Sequence, residues 1–122
     1  APGVYLTQQD IREVQLAKGA IAAGIEVLMR EMGVTEIDEC YLAGGFGSAI
    51  DPQSALAIGL LPELLRGKIV PIGNAAGMGA VEMVLSQGAR KRAQALAARA
   101  HYIEHSELED FQDAFVEHML FE

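Results

Sequence analysis

The stretch Tyr41-Leu42-Ala43-Gly44-Gly45-Phe46-Gly47 limits the folds open to this chain more than any other. A short apolar run ends there in a cluster of glycines. A buried strand delivers bare backbone to a ligand in this way, because glycine has no side chain to hold the ligand off and tolerates φ above zero. Residues 39–43 are therefore predicted as a strand entering a glycine turn. Alone, such a cluster is a weak signal, and its weight comes from its flanks.

Upstream, Thr7-Gln8-Gln9-Asp10 has the form of a capping box, with Asp where Glu or Gln is usual. Ile11, Val14, Ile21, Ile25, Leu28 and Met32 then recur at helical steps, so this stripe is expected to face the core. Gly33 is expected just past the helix end. The helix should hold about 25 residues and run about 37 Å. Lys18 interrupts the stripe, among the small residues Ala17, Gly19, Ala20, Ala22, Ala23 and Gly24. A lysine so placed either snorkels at the edge of the core or faces an opening that takes something anionic or polar.

Downstream, Asp51-Pro52 starts a helix with an N-cap and a proline in its first turn, ending near Gly59. Pro62 opens a further helical turn through Leu65. Residues 68–72 are predicted as a second strand, with Pro71 suiting an edge or a strand end. Two strands separated by helix fit a parallel crossover. Gly73-Asn74-Ala75-Ala76-Gly77-Met78-Gly79-Ala80 is a second glycine-rich turn, with Asn74 capping a helix to about Ser86. Gly77 and Gly79 inside that helix each cost about 1 kcal/mol against alanine, which close packing or a ligand would explain. A basic, alanine-rich helix is expected over 89–100 and a short strand over 101–105. A last acidic helix is expected over 108–120, with Phe111, Phe115, Val116 and Met119 inward.

The 122 residues, 51% of them apolar, suffice for one domain spanning 1–122. The uncharged runs are too short and too broken by glycine to span a bilayer. A net charge of -8 argues against a nucleic-acid partner, and Arg90, Lys91, Arg92 and Arg99 read as a solvated helix face. The single Cys40 excludes an internal disulfide and a cysteine-cluster metal site, and points to a reducing, cytoplasmic compartment. The opening Ala1-Pro2-Gly3 suits a piece of a longer protein, although removal of an initiator Met gives the same appearance.

Both glycine turns follow strands, so they are expected side by side at the carboxyl edge of the sheet, where open α/β sheets bind ligands. Exposed N–H groups there attract phosphate oxygens, which makes a nucleotide the leading ligand. No Gly-Lys-Ser/Thr follows either turn and the GxGxxG spacing is missing, so this is neither a P-loop nor a dinucleotide fingerprint. Catalytic groups are not evident. His101, His105 and His118 make a poor metal set, Asp10, Asp38 and Asp51 have capping or turn roles, and Ser48 has no histidine near it in sequence.

The order helix, strand, Gly-Gly, strand, Gly-x-Gly-Ala helix resembles the last subdomain of the actin, heat-shock chaperone and sugar-kinase superfamily. The resemblance implies an α/β fold of the ribonuclease H-like type, a short, mostly parallel sheet covered by helices. More specific are Leu6 to Lys18, Tyr41 to Gly47, Ile58-Gly59-Leu60-Leu61-Pro62, Gly73-Asn74-Ala75-Ala76-Gly77 and the ending Met119-Leu120-Phe121-Glu122. These are similar to the carboxyl-terminal part of the ATP-dependent reductive activators of corrinoid proteins, over nearly the whole chain.

That resemblance implies a parent protein with a plant-type ferredoxin domain and a 2Fe–2S cluster. The parent would use ATP to drive one electron onto cob(II)alamin of a corrinoid protein, restoring cob(I)alamin. It implies that Gln15 and Lys18 face the ribose, that Ala22 lies near the adenine, and that Gly44 and Gly45 pack on adenosine and phosphates with Phe46 and Gly47 completing the turn. The chain departs from the chaperone pattern at Ser48, an arginine there, and at Gln15, a glutamate there. The superfamily's phosphate loops and Mg²⁺ aspartates, and the ferredoxin cysteines, fall in segments this sequence does not hold. The expected product is half a nucleotide cleft for ATP or ADP, inactive by itself. Two alternatives stand beside it: a non-catalytic interaction or homodimerisation domain, and a fragment of a small-molecule kinase or a benzoyl-reductase-type activating ATPase.

Overall fold

A computed structural model describes residues 3–104 and 109–121. Helix α1 is Gln8–Glu31. Thr7 caps it, its Oγ1 accepting from the Asp10 N–H at 3.1 Å while Asp10 Oδ2 accepts from the Thr7 N–H at 2.8 Å. The box therefore closes with aspartate in the glutamate place. Met32 ends the helix and Gly33 turns the chain away at φ +62°.

Strand β1, Cys40–Ala43, pairs in parallel with β2, Ile69–Gly73, as a two-stranded sheet among the described residues. Pro71 stands opposite Leu42, and the register slips by one residue so that Ala43 meets Gly73. Between the strands lie α2 (Gly44–Ala49), α3 (Pro52–Ala57) and a 3₁₀ turn (Glu63–Leu65). Asp51 caps α3 by accepting from the Ser54 N–H at 2.7 Å. After β2 come α4 (Ala75–Leu85), α5 (Gln87–Ala97) and α6 (Glu109–His118). Ala55, Leu56, Leu60, Leu61 and Leu65 form the buried core, packed against Ile25 of α1 and against Cys40, Leu42 and Ile69 of the sheet. This core fixes the sheet on one side of α1. Helix α6 packs against α1 elsewhere along its length.

Four expectations need correction. The large stripe of α1 is not its buried face: Ile11, Val14, Ile21, Leu28 and Met32 are 36% to 71% exposed, whereas Lys18, Gly19, Ala22, Ala23 and Val27 are buried. The reason lies in the partner. A helix approaches another helix closely only where side chains are small, and a Cβ on Gly19 would stand 2.9 Å from Met119 Cγ and 3.0 Å from Phe115 O. Residues 101–104 form no strand, and His105 and Leu108 lie outside the described residues. On α6, Val116 points out while Ala114 is buried. Gly79 has nothing within 4 Å of a would-be Cβ, and the neighbour of Gly77 is its own cap Asn74, so packing explains neither in the way expected.

Candidate functional site: a glycine ledge at the end of two parallel strands

The parallel register brings the two glycine turns together. Ala43 and Gly73 are paired, so Gly44 and Asn74 leave the same carboxyl edge of the sheet, as the order of elements predicts. The first turn is in fact the start of α2, which packs against both strands. Its three glycines have different causes. Gly44 adopts φ +79°, which L side chains rarely adopt. Gly47 lies against β1, where a Cβ would stand 2.8 Å from the carbonyl carbon of Leu42. Gly45 has an ordinary φ and open space around the Cβ position. The fold thus accounts for Gly44 and Gly47 and leaves Gly45 as bare backbone on an open ledge. Phe46 beside it is 62% exposed, and Ser48 Oγ donates to Gly44 O at 2.8 Å, tying the short helix to itself.

Across the edge, Gly73 turns at φ +63° and Asn74 Oδ1 accepts from the Gly77 N–H at 2.9 Å, capping α4. A shallow cavity of about 650 Å³ opens at Asn74 and Gly77 and continues along Met78, Val81 and Leu85.

Gln15, Lys18 and Ala22 stand on α1. Lys18 is 3% exposed and Ala22 1%. Lys18 Nζ donates to His118 O at 2.5 Å and sits 5.3 Å from the centre of the Phe121 ring. Gln15 Nε2 donates to Met119 O at 3.1 Å. The pair satisfies carbonyls at the end of α6 that have no partner within their own helix, and the ammonium stands at the negative end of that helix. Gly59, at φ +71°, leaves room for it: a Cβ there would be 3.3 Å from Nζ. This polar pairing across about a hundred residues of sequence is what sequence spacing could not reveal. The lysine that interrupts the stripe was the one visible sign.

Other polar groups serve the fold. His118 Nε2 meets Glu26 Oε2 at 2.7 Å, and Arg30 pairs with Asp110 at 3.5 Å, both between α1 and α6. Arg92 of the basic face pairs with Glu82 at 3.1 Å. Burial pushes the Cys40 thiol above its ordinary pKa, so it is poorly nucleophilic at neutral pH. Among the described residues no group of three or more His, Cys, Asp or Glu could hold a metal ion. No helix among them is long and apolar enough to cross a membrane.

Comparison with known proteins decides the family. The model of the C-terminal domain of RACo, the ASKHA domain, matches residues 1–122. The chain belongs to this family.

The actin-like ATPase fold expected from the resemblance is thereby shown for this ASKHA domain, and the solved structure of a reductive activator for a corrinoid, iron-sulfur protein agrees. It superposes with a TM-score of 0.86 and 32% identity over 95% of the chain and 19% of the other. The corrinoid activation enzyme RamQ of Eubacterium limosum is 42% identical over 86 residues, 69% of this chain and 14% of RamQ. A Co(II) methylated amine-specific corrinoid protein reductase of Methanosarcina barkeri is 33% identical over 88 residues, 70% of this chain and 16% of that protein. The ASKHA domain thus spans between 14% and 19% of the length of these relatives.

Proposed function

We propose that this domain forms the adenosine-side wall of the nucleotide site in an ATP-dependent activator that returns cob(II)alamin of a corrinoid protein to cob(I)alamin. Gly45 carries the reading. It is glycine at a position where the fold itself would admit a side chain, and it lies on the sheet edge where α/β proteins bind ligands. Gly44, Gly45 and Phe46 form one side of the ledge, Gly47 holds it against β1, and Asn74 forms the other side. The names of the relatives, each an activator or reductase of a corrinoid protein, support the substrate class.

The residues present fit part of the expected cofactor set. Bare backbone at Gly44 and Gly45 suits the flat face of a nucleoside. A 2Fe–2S cluster takes four protein ligands, commonly all thiolates, and the sequence holds one cysteine, so these residues do not fit such a cluster, and in the proposed activator it would be held by residues other than these. The same holds for the loops and carboxylates that would grip the phosphates and Mg²⁺. The domain alone therefore supplies binding and orientation, not hydrolysis or electron transfer.

The alternative of an interaction domain has one observation in its favour. Helix α4 buries none of its side chains, and Val84 and Leu85 are 77% and 80% exposed. An apolar face of this kind calls for a cover, either the remainder of a longer protein or a second copy. Calorimetric titration with ADP tests the leading reading. The unaltered chain should bind, and Gly45→Val should keep the fold and lose at least about tenfold in affinity, since its branched side chain fills the ledge. Equal binding by both chains would remove the ledge from the site.

A further inference from the structure

The two edges of the sheet are finished differently. In a parallel ladder, alternate residues of a strand bond to one neighbour, and the residues between them turn their backbone groups to the other side. The Cys40 N–H donates to Lys68 O at 2.8 Å, so Cys40 and Leu42 face β2 while Tyr41 and Ala43 face outward. By the same register Ile69, Pro71 and Gly73 face outward from β2. Proline has no N–H to offer there, and the register slip leaves the extra residue, Ile72, on the same strand. Prolines and bulges are devices by which proteins close a sheet edge, and β2 carries both. The residues of β1, Cys40-Tyr41-Leu42-Ala43, include neither a proline nor a charge.

We propose that β1 is an inner strand of a larger sheet, and that its outer edge takes a further β-strand from another part of a longer polypeptide. This rests on the domain being part of such a polypeptide, and not on its binding a nucleotide.

The backbone favours a strand as the occupant. The outward groups are the N–H and C=O of Tyr41 and the N–H of Ala43, and among the described residues no cross-edge hydrogen bond reaches them. Such a row is satisfied in register by another extended chain. A sheet of two strands is also marginal by itself, and parallel pairs occur in sheets covered on both faces. Here Cys40, Leu42 and Ile69 pack on the core, whereas Tyr41 and Val70, on the opposite face, are 59% and 38% exposed. Size favours the same polypeptide as the source. Two copies joined through β1 would share four residues a side, where a stable interface takes about 20–30. The relatives are several times longer than this domain, which spans 14% to 19% of their length, and a strand on the same polypeptide arrives at high effective concentration.

Amide hydrogen exchange, read residue by residue and without nucleotide, tests this on the chain of 122 residues and on the longer polypeptide that contains it. In the 122-residue chain the Tyr41 and Ala43 amides should exchange as open backbone, while those of Leu42 and Val70, inside the ladder, are protected. In the longer polypeptide Tyr41 and Ala43 should both slow by at least about a hundredfold. Tyr41→Pro should leave the melting temperature of the short chain nearly unchanged, since that N–H bonds nothing there, and lower that of the longer polypeptide. Fast exchange at Tyr41 and Ala43 in both overturns the proposal. Slow exchange already in the short chain overturns it too: lost on dilution, it marks a second copy at the edge, and kept on dilution, an edge closed by the domain itself. Slow exchange in the longer polypeptide only once a corrinoid protein is added assigns the edge to a separate partner and overturns it as well. Should Tyr41→Pro fail to fold, exchange in the unaltered chains decides.

Discussion

Two glycines on the same helix should respond in opposite ways to the same substitution. Gly19 and Gly24 both lie within α1, and alanine there should gain about 0.8–1 kcal/mol from helix propensity alone. A Cβ on Gly24 meets nothing within 4 Å, so Gly24→Ala should keep that gain. A Cβ on Gly19 would stand 2.9 Å from Met119 Cγ and 3.0 Å from the backbone oxygen of Phe115. The methionine can turn aside, but the carbonyl moves only with α6, and overpacking of this kind costs about 1–3 kcal/mol. Gly19→Ala should thus end neutral to about 2 kcal/mol less stable, and about 1–3 kcal/mol below Gly24→Ala. Urea unfolding at equilibrium with a common slope measures both. If Gly19→Ala proves as stabilising as Gly24→Ala, α6 does not lie on α1 at this point, and the account of the buried face falls with it.

Further predictions concern the polar ties and the ledge. Lys18→Met should keep the volume but leave the His118 carbonyl without its donor, costing about 1–3 kcal/mol in urea unfolding; an unchanged midpoint would mean the ammonium does not hold α6. Gly47→Ala should destabilise by about 1–3 kcal/mol, because its Cβ would meet the Leu42 backbone at 2.8 Å, while Gly45→Ala leaves the melting temperature near that of the unaltered chain; equal effects would contradict the division of roles. Hydrogen bonds from Thr7 hold the Asp10 carboxyl below its ordinary pKa, and those from Ser54 do the same for Asp51. A carboxylate with a depressed folded pKa contributes fully above its ordinary value of about 4 and loses that contribution as pH falls through the folded value. The melting temperature should therefore decline below about pH 4, and less steeply in Asp10→Asn with Asp51→Asn; identical slopes would count against the caps.

Much of this fold was legible because its signals are local. Thr7 with Asp10, Asp51 with Pro52, and Asn74 each declare a helix start within four residues, and the structure shows a capping hydrogen bond at each. The parallel pairing of two strands followed from the helices between them. The face of α1 was not legible, because hydropathy ranks Ile11, Leu28 and Met32 above Gly19 and Ala22, whereas close approach of helices ranks them the other way. The partner that sets this choice, α6, lies about a hundred residues further on. The glycine turn at Gly44 was legible as bare backbone but not as helix: glycine is a poor helix former, and only the contact of Gly47 with Leu42 shows why the chain coils at once. Lys18 was legible as an anomaly, and its acceptor on α6 was not.

The most direct test of the ledge is nuclear magnetic resonance of the uniformly labelled chain titrated with ADP, a measurement that registers even weak binding by one wall of a cleft. The account predicts that the largest amide shifts fall on Gly44 to Gly47 and on Asn74 to Gly77, and that Gly45→Val abolishes them. Shifts gathered on α5 instead, or no shifts at millimolar ADP, would contradict it.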